Sequence, residues 1–476
     1  MKIVLVRPTY GSRFQVTPPL SLGYLSSSLK EAGYNDIYLV DGSLLLLSPH
    51  DAVNMIKQKG VPDIIGIQVY TGSHRWAKEF VWLFREQYPD VPIVTGGPHI
   101  TALKELALKF IGCEYGVLGE GENAIVEFAK HIEGKISDPA DVEGLVYKDE
   151  DKYRFSKKPY GFIEDANIIA FPDWDLLEPE RYFKYMEGAT MPLRGKRPAP
   201  VLSSRGCPFK CTFCSSGLTN KRIMRYREPE NIVAEMEMLK QKFGVDEIFF
   251  SDDNLTLNKS RAEKIFDLMI EKKLNLHWRA PNGIRVDCLN ESLITKMKKS
   301  GCYYVGLGVE SGNDRVLKRI KKQLNLDAVR KNIKLLHKYN ISVSGFFMCG
   351  MLDEKEREIR DSIRFACSVP FDRIQVCDYV PYPGSEDFET IFKNDDRQQY
   401  EKAIMEFQQN DTIPKFRDLS LKDVIRLQRM FFLKFYLRPR TIYSMLKHFK
   451  LSQVYAIFNH PFIKRFFVKD KKWYAT

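Results

Sequence analysis

Short β-type runs alternate with helical runs twice along this 476-residue chain, which restricts it to two parallel α/β units. In residues 1–135 the strand-like runs are 2–6, 36–40, 63–69, 91–94 and 115–118, with helical runs at 20–32, 75–87 and 122–132. Short apolar runs between helices suit strands buried on both faces, so a doubly wound, mostly parallel sheet is expected. Six further strands are expected at 201–204, 247–251, 277–280, 303–310, 342–348 and 373–380, each followed by a helix or a turn. Six βα units suit a partial parallel barrel whose strand ends face one cavity. The stretch between, 136–195, carries Asp138-Pro139, Phe171-Pro172-Asp173-Trp174 and Pro192 without sustained periodicity, and reads as a linker. Within it, 173–177 is expected to pack between the domains. The barrel unit is bounded at 196–399, and 400–476 reads as a helical C-terminal region.

Cys207, Cys211 and Cys214 follow the first strand of the second unit in the spacing C-x3-C-x2-C. One short loop can wrap three such thiolates around an inorganic centre. A four-iron cubane held by three thiolates keeps one iron free for another ligand. Structural zinc takes four ligands, usually from two distant pairs, and the other six cysteines (113, 288, 302, 349, 367, 377) lie singly. The spacing therefore favours an iron–sulfur site with a vacancy. Isolated cysteines also argue against a disulfide framework and for a reducing, cytoplasmic setting. The N-terminal apolar run is too short for a signal peptide, and no run approaches the ~18 apolar residues of a membrane span.

The cysteine run, with the aromatic Phe213 before its last cysteine, resembles the cluster motif of the radical S-adenosylmethionine superfamily. That resemblance implies a [4Fe–4S] cluster whose open iron binds S-adenosylmethionine, and an electron donor such as flavodoxin or ferredoxin. It also implies roles at the barrel strand ends. Ser251, Asp252, Asp253 and Asn254 fall where the family grips the methionine amino group; Arg285 would pair with a carboxylate. Glu310 and Ser311 would meet ribose hydroxyls, and Gly345 would lie beside adenine. Each has a plainer alternative, since a carboxylate at a strand end is often a helix cap and an arginine often a surface ion pair. His277 and His99, beside apolar strands, read as structural histidines. Cys349 and Cys377 read as small core residues, with Cys377 near the active face as a candidate hydrogen-atom donor.

The first unit lacks the G-x-G-x-x-G of a dinucleotide fold after its first strand, where only Gly11 occurs. Its glycines follow the fourth and fifth strands instead, where a bulky planar ligand can approach the backbone. This arrangement resembles a cobalamin-binding domain, with Gly96, Gly97 and Gly119 at the nucleotide tail and Gln68 and Tyr70 at the family's Ser-x-Leu element. Glu120 follows Gly119 at the same edge. The D-x-H-x-x-G motif that supplies a lower histidine ligand is missing, so the resemblance implies base-off, His-off cobalamin, with Tyr10 a candidate for the lower face. A degenerate domain without ligand is the alternative.

The formal charge of +12 is concentrated: residues 420–476 hold thirteen Lys and Arg against Asp423 and Asp470, a balance of +11. Interleaved aromatics make this tail a candidate for peripheral contact with an anionic membrane or for delivery of a lipid-like substrate; a solvated cap on the barrel is the alternative. Nucleic acid is disfavoured, because no recognised nucleic-acid fold precedes the tail. A cobalamin-like unit before such a barrel resembles the cobalamin-dependent radical S-adenosylmethionine family, which includes methylases and an oxidative cyclase. The function this implies is methyl transfer from methylcobalamin to a small-molecule or lipid-like substrate after hydrogen abstraction by a 5′-deoxyadenosyl radical. Oxidation, cyclisation or rearrangement without methyl transfer is the second expectation. An iron–sulfur sensor or membrane scaffold is the non-enzymatic one.

Overall fold

The computed structural model of the chain describes residues 1–9, 16–186, 193–392 and 417–448. The first sheet has seven strands in the order β2-β1-β3-β4-β5-β6-β7. Strands β1 (Lys2–Arg7), β2 (Asp36–Asp41), β3 (Ile64–Gln68), β4 (Ile93–Gly96) and β5 (Tyr115–Val117) are parallel. Both faces are buried: Val4 and Val6 pack in one apolar cluster while Ile3 and Leu5 pack in another. That period-2 division explains why the strands read as continuous apolar runs. Local signals start the helices between them. Ser48 Oγ accepts from the Asp51 N–H at 3.1 Å while the Asp51 carboxylate accepts from the Ser48 N–H at 3.2 Å, a capping box opening the helix Pro49–Lys59.

The stretch 136–195 is more than a linker. Strands β6 (Leu145–Asp149) and β7 (Lys152–Phe155) form a hairpin that joins the first sheet antiparallel to β5. Their polar outer residues (Lys148, Asp149, Lys152, Arg154) mark an edge of the sheet, so these strands carry no continuous apolar run. Asp173 takes Ser26 Oγ at 2.7 Å and Lys30 at 2.6 Å from the first unit, and the Trp174 indole donates to Glu235 of the barrel at 3.0 Å, so 173–177 does join the two units.

The second sheet runs β8 (Pro198–Val201), β11 (Glu247–Phe250), β12 (His277–Ile284), β13 (Cys302–Glu310), β14 (Ser342–Cys349) and β15 (Arg373–Asp378), parallel and in chain order. The first strand lies upstream of the expected 201–204, and Pro198 and Pro200 are part of it; β8 is an edge strand, where missing amide donors are tolerated. A short ribbon, β9 (Ser204–Arg205) with β10 (Arg225–Tyr226), flanks the cysteine loop. The amino end of the barrel is closed by the buried Glu247. It accepts from Tyr303 Oη at 2.6 Å and from the Arg194 and Gly195 N–H groups at 2.9 and 2.8 Å.

The C-terminal helix Leu421–Tyr436 caps the barrel: Leu427, Phe431 and Phe435 are buried, and Phe431 meets Phe347 with ring centres 5.2 Å apart. Arg426 pairs with Glu356 at 2.8 Å, and Arg438 donates to the Cys367 carbonyl at 2.7 Å. One face of the first third of the basic tail therefore serves packing and helix capping, as in the cap alternative, while Leu433 and Leu437 stay exposed on the other. Residues 449–476 lie outside the described residues, as does Tyr10.

Candidate active site

A cavity of about 450 Å³ lies between the two sheets. One wall comes from the carboxyl ends of β3, β4 and β5 with Gln68, Tyr70, Gly96, Gly97, Gly119 and Glu120. The other comes from the ends of β8 and β11 with Ser204, Arg205, Ser251 and Asp253. Parallel sheets leave strand ends without helical cover on that side, which is where ligands bind. Gly96 lines the cavity, and an added Cβ there would make only ordinary contact, with Val117 O at 3.8 Å. Gly97 is glycine for another reason: its φ is +105°, and a Cβ would meet Val69 O at 2.8 Å. No histidine lines the cavity among the described residues. His99 is buried behind it, stacked on His74 at 5.1 Å, and burial, with His74 beside it, pushes its pKa down to about 3.

The cysteine loop runs from β9 to β10 and is clamped from three sides. The Thr212 N–H donates to Ile320 O at 3.1 Å, and the Asp387 N–H to Thr212 O at 3.0 Å. Buried Asp387 also accepts from Tyr379 Oη at 2.7 Å, Arg319 at 2.8 Å and Thr212 Oγ1 at 3.1 Å. Arg285 lies over the Phe209 ring at 3.9 Å. Burial raises the thiol pKa of Cys207 and Cys211, and the neighbouring cysteines push in the same direction. The thiols of this loop are the donor set a cationic iron centre calls for. Among the described residues no three His, Cys, Asp or Glu side chains converge to hold a single metal ion.

The B12 binding domain family matches residues 7–129 and the Radical SAM superfamily matches residues 201–366. An uncharacterized methyltransferase of Pyrococcus horikoshii is 31% identical over 448 residues, covering 93% of this chain and 94% of that protein. This chain is a cobalamin-dependent radical S-adenosylmethionine enzyme. Cytidylyl-2-hydroxyethylphosphonate methyltransferase of Streptomyces wedmorensis is 29% identical, over 78% of this chain and 77% of its own. The anaerobic magnesium-protoporphyrin IX monomethyl ester cyclase of Rubrivivax gelatinosus is 27% identical, over 82% and 70%. The radical S-adenosylmethionine methyltransferase TsrM from Kitasatospora setae shares the fold, with a TM-score of 0.66 at 16% identity over 82% of this chain and 79% of its own.

Several residues picked from the sequence have protein partners in the fold. Asp252 is buried and accepts from Ser203 Oγ at 2.6 Å and Ser204 Oγ at 2.5 Å, so it ties β11 to the start of the cysteine loop. Arg285 is held by Asp287 at 2.9 Å and by the Gln323 carbonyl at 2.7 Å. Ser311 is buried against Ser362 at 3.1 Å, and Gly345 faces Phe347 and Phe371, where a Cβ would meet both rings at 2.9 Å. Phe213 packs beside Val316, Ile320, Met351 and Tyr379. Cys349 is core, as expected, whereas Cys377 is exposed on the edge strand β15. Ser251 and Asp253 do face the cavity, and desolvation, with Asp252 beside it, raises the Asp253 carboxyl pKa. Asn254 is buried with its Oδ1 unpartnered, an acceptor awaiting a donor.

Glu310, at φ +67° after a bulge in β13, accepts from Lys322 Nζ at 2.8 Å. Burial works against the Lys322 charge, but Glu310 and Cys211 outweigh it and its pKa stands above the ordinary value. Lys322 lies twelve residues beyond the strand end and carries no motif, so the sequence did not single it out. Its only signal is Gly308, whose missing side chain leaves room for the Lys322–Glu310 pair.

Proposed function

We propose that this chain is a methyltransferase acting on a small organic substrate in the cavity between its two sheets. The observation that carries this is the cavity itself, because residues of the cobalamin-binding half and of the radical half line one continuous space. When bound, S-adenosylmethionine on the reduced cluster supplies a 5′-deoxyadenosyl radical for hydrogen abstraction, and methylcobalamin supplies the methyl group. Cys207, Cys211 and Cys214 would hold the iron. Lys322 presents an ammonium beside Cys211 for a carboxylate, Glu310 an acceptor for hydroxyls, and Asp253 with the Asn254 Oδ1 acceptors for an ammonium. Gln68, Tyr70 and the bare Gly96 offer the flat wall for cobalamin. With no histidine on that wall, base-off, His-off binding is the form we infer. Reduction of the cluster calls for an external one-electron donor of the flavodoxin or ferredoxin class.

The likeness to the Rubrivivax cyclase supports a second reading, radical oxidation without methyl transfer. Anaerobic reconstitution with iron, sulfide and hydroxocobalamin, followed by S-adenosylmethionine, reductant and candidate substrates, separates the two. S-Adenosylhomocysteine together with 5′-deoxyadenosine is the expected result; 5′-deoxyadenosine alone would favour the cyclase-like reading, and no cleavage would sink both. No helix among the described residues is long and apolar enough to cross a membrane. Exposed Leu433, Leu437, Ile442 and Tyr443 beside the basic tail support peripheral contact with anionic lipid, tested by salt-dependent sedimentation with anionic vesicles.

A further inference from the structure

The loop that carries the three cysteines is closed at its base by the β9–β10 ribbon, which sets Arg205 directly opposite Arg225. Two guanidinium groups in cross-strand register repel each other. Their relief comes from the other domain. Arg225 grips Glu120 through two bonds of 2.7 Å, while Arg205 reaches Glu122 at 2.6 Å and Glu120 at 3.2 Å. All four side chains are at most 14% exposed, so the charges are poorly screened and depend on one another. Glu120 follows Gly119 on the loop after β5, and Glu122 opens the helix Glu122–Ile132; both line the cobalamin side of the cavity. Burial opposes ionisation of Glu120, yet the two arginines hold its pKa below the ordinary value.

We propose that this clasp links occupancy of the cobalamin site to order in the cluster loop, with Arg205 and Arg225 as positioning residues. The proposal rests on the cofactor assignment above. A ligand that settles on 119–122 fixes the two carboxylates, the carboxylates hold the two arginines in register, and the register shapes the base of the cysteine loop. Linkage is reciprocal, so an ordered cluster loop tightens cobalamin binding by the same factor.

Hydrogen exchange on the full apo chain tests the clasp without any cofactor. In Arg205→Lys, which keeps the charge but loses the fork, peptides covering 118–122 and 204–226 should exchange together about tenfold faster, as expected for one lost charge-assisted bond. Acceleration of only one segment, or of neither, would overturn the clasp; Glu122→Gln supplies the same comparison should Arg205→Lys fail to fold. Adding hydroxocobalamin to the wild-type chain should slow exchange in both segments. In Arg205→Lys, with binding followed by absorbance, it should slow only 118–122. Equal protection of 204–226 in the variant refutes the linkage. A wild-type chain that binds no hydroxocobalamin removes the cobalamin assignment and the linkage with it, while the apo comparison still judges the clasp.

Discussion

The two halves of the molecule place their functional edges on the same feature, the carboxyl ends of parallel strands, and build them from opposite materials. On the barrel side the cysteine loop is locked by buried charge: Asp387 alone ties together Thr212, Arg319 and Tyr379. On the other side glycines at Gly96, Gly97 and Gly119 stand at the strand ends, among lining side chains such as Leu25, Gln68 and Tyr70. The difference follows from what each must hold. Three thiolates have to be presented at fixed separation, which demands a rigid loop. A large planar ligand demands a clear surface, which any protruding side chain would spoil.

The contrast is broken most forcefully at the cysteines. Replacing Cys207, Cys211 and Cys214 together by alanine should abolish iron–sulfur absorbance and all S-adenosylmethionine cleavage, because these three thiolates are the protein's whole ligand set for the cluster. A four-iron cluster surviving in that variant would remove the assignment. Next in size, Asp387→Asn takes away the charge that Arg319 and Tyr379 address. It should cost about 2–3 kcal/mol in unfolding experiments and lower iron content after reconstitution. Unchanged unfolding and full iron loading would show that the loop does not need its clamp.

On the glycine side, neighbouring positions should behave differently. Gly97→Ala forces a left-handed backbone on a residue with a Cβ and should cost about 1–3 kcal/mol. Gly96→Leu should leave unfolding unchanged and weaken hydroxocobalamin binding, since its side chain would enter the cavity. Equal effects at both positions would erase the distinction between a structural and a ligand-facing glycine.

The smallest effect is a pH response of opposite sign in the two halves. Burial raises the Glu354 carboxyl from 4.5 to about 7, so the folded barrel holds that proton more tightly than the unfolded chain does. Its contribution is full below about pH 4.5 and is lost as pH rises through 7. Burial lowers His99 from 6.5 to about 3, so its contribution is full above 6.5 and is lost as pH falls toward 3. Between about pH 5 and 6.5 the two slopes oppose each other, so Glu354→Gln should remove a fall in melting temperature as pH rises from 5 to 7 and His99→Gln should remove a rise from 5 to 6.5, with cobalamin binding surviving the latter. Identical profiles for wild type and both variants would refute the assignment.

Much was legible without coordinates, because strand and helix periodicity and the cysteine spacing are local properties written residue by residue. Each of the eleven anticipated strands has a counterpart, although the barrel's first lies at Pro198–Val201, upstream of 201–204, and the cysteine loop follows the short β9 after it. The β6–β7 hairpin escaped because an edge hairpin alternates with charge and lacks a buried run. Which carboxylate stays open to a ligand was not readable either. Asp252 and Asp253 are adjacent and chemically identical, yet one is spent on Ser203 and Ser204 while the other faces the cavity. Arg285 is paired with Asp287 and Lys322 with Glu310, and only the folded chain decides such pairings. The sequence by itself determined which elements form and which residues can ligate iron. Tertiary structure alone decided which polar groups remain free, because that depends on partners brought together from distant parts of the chain.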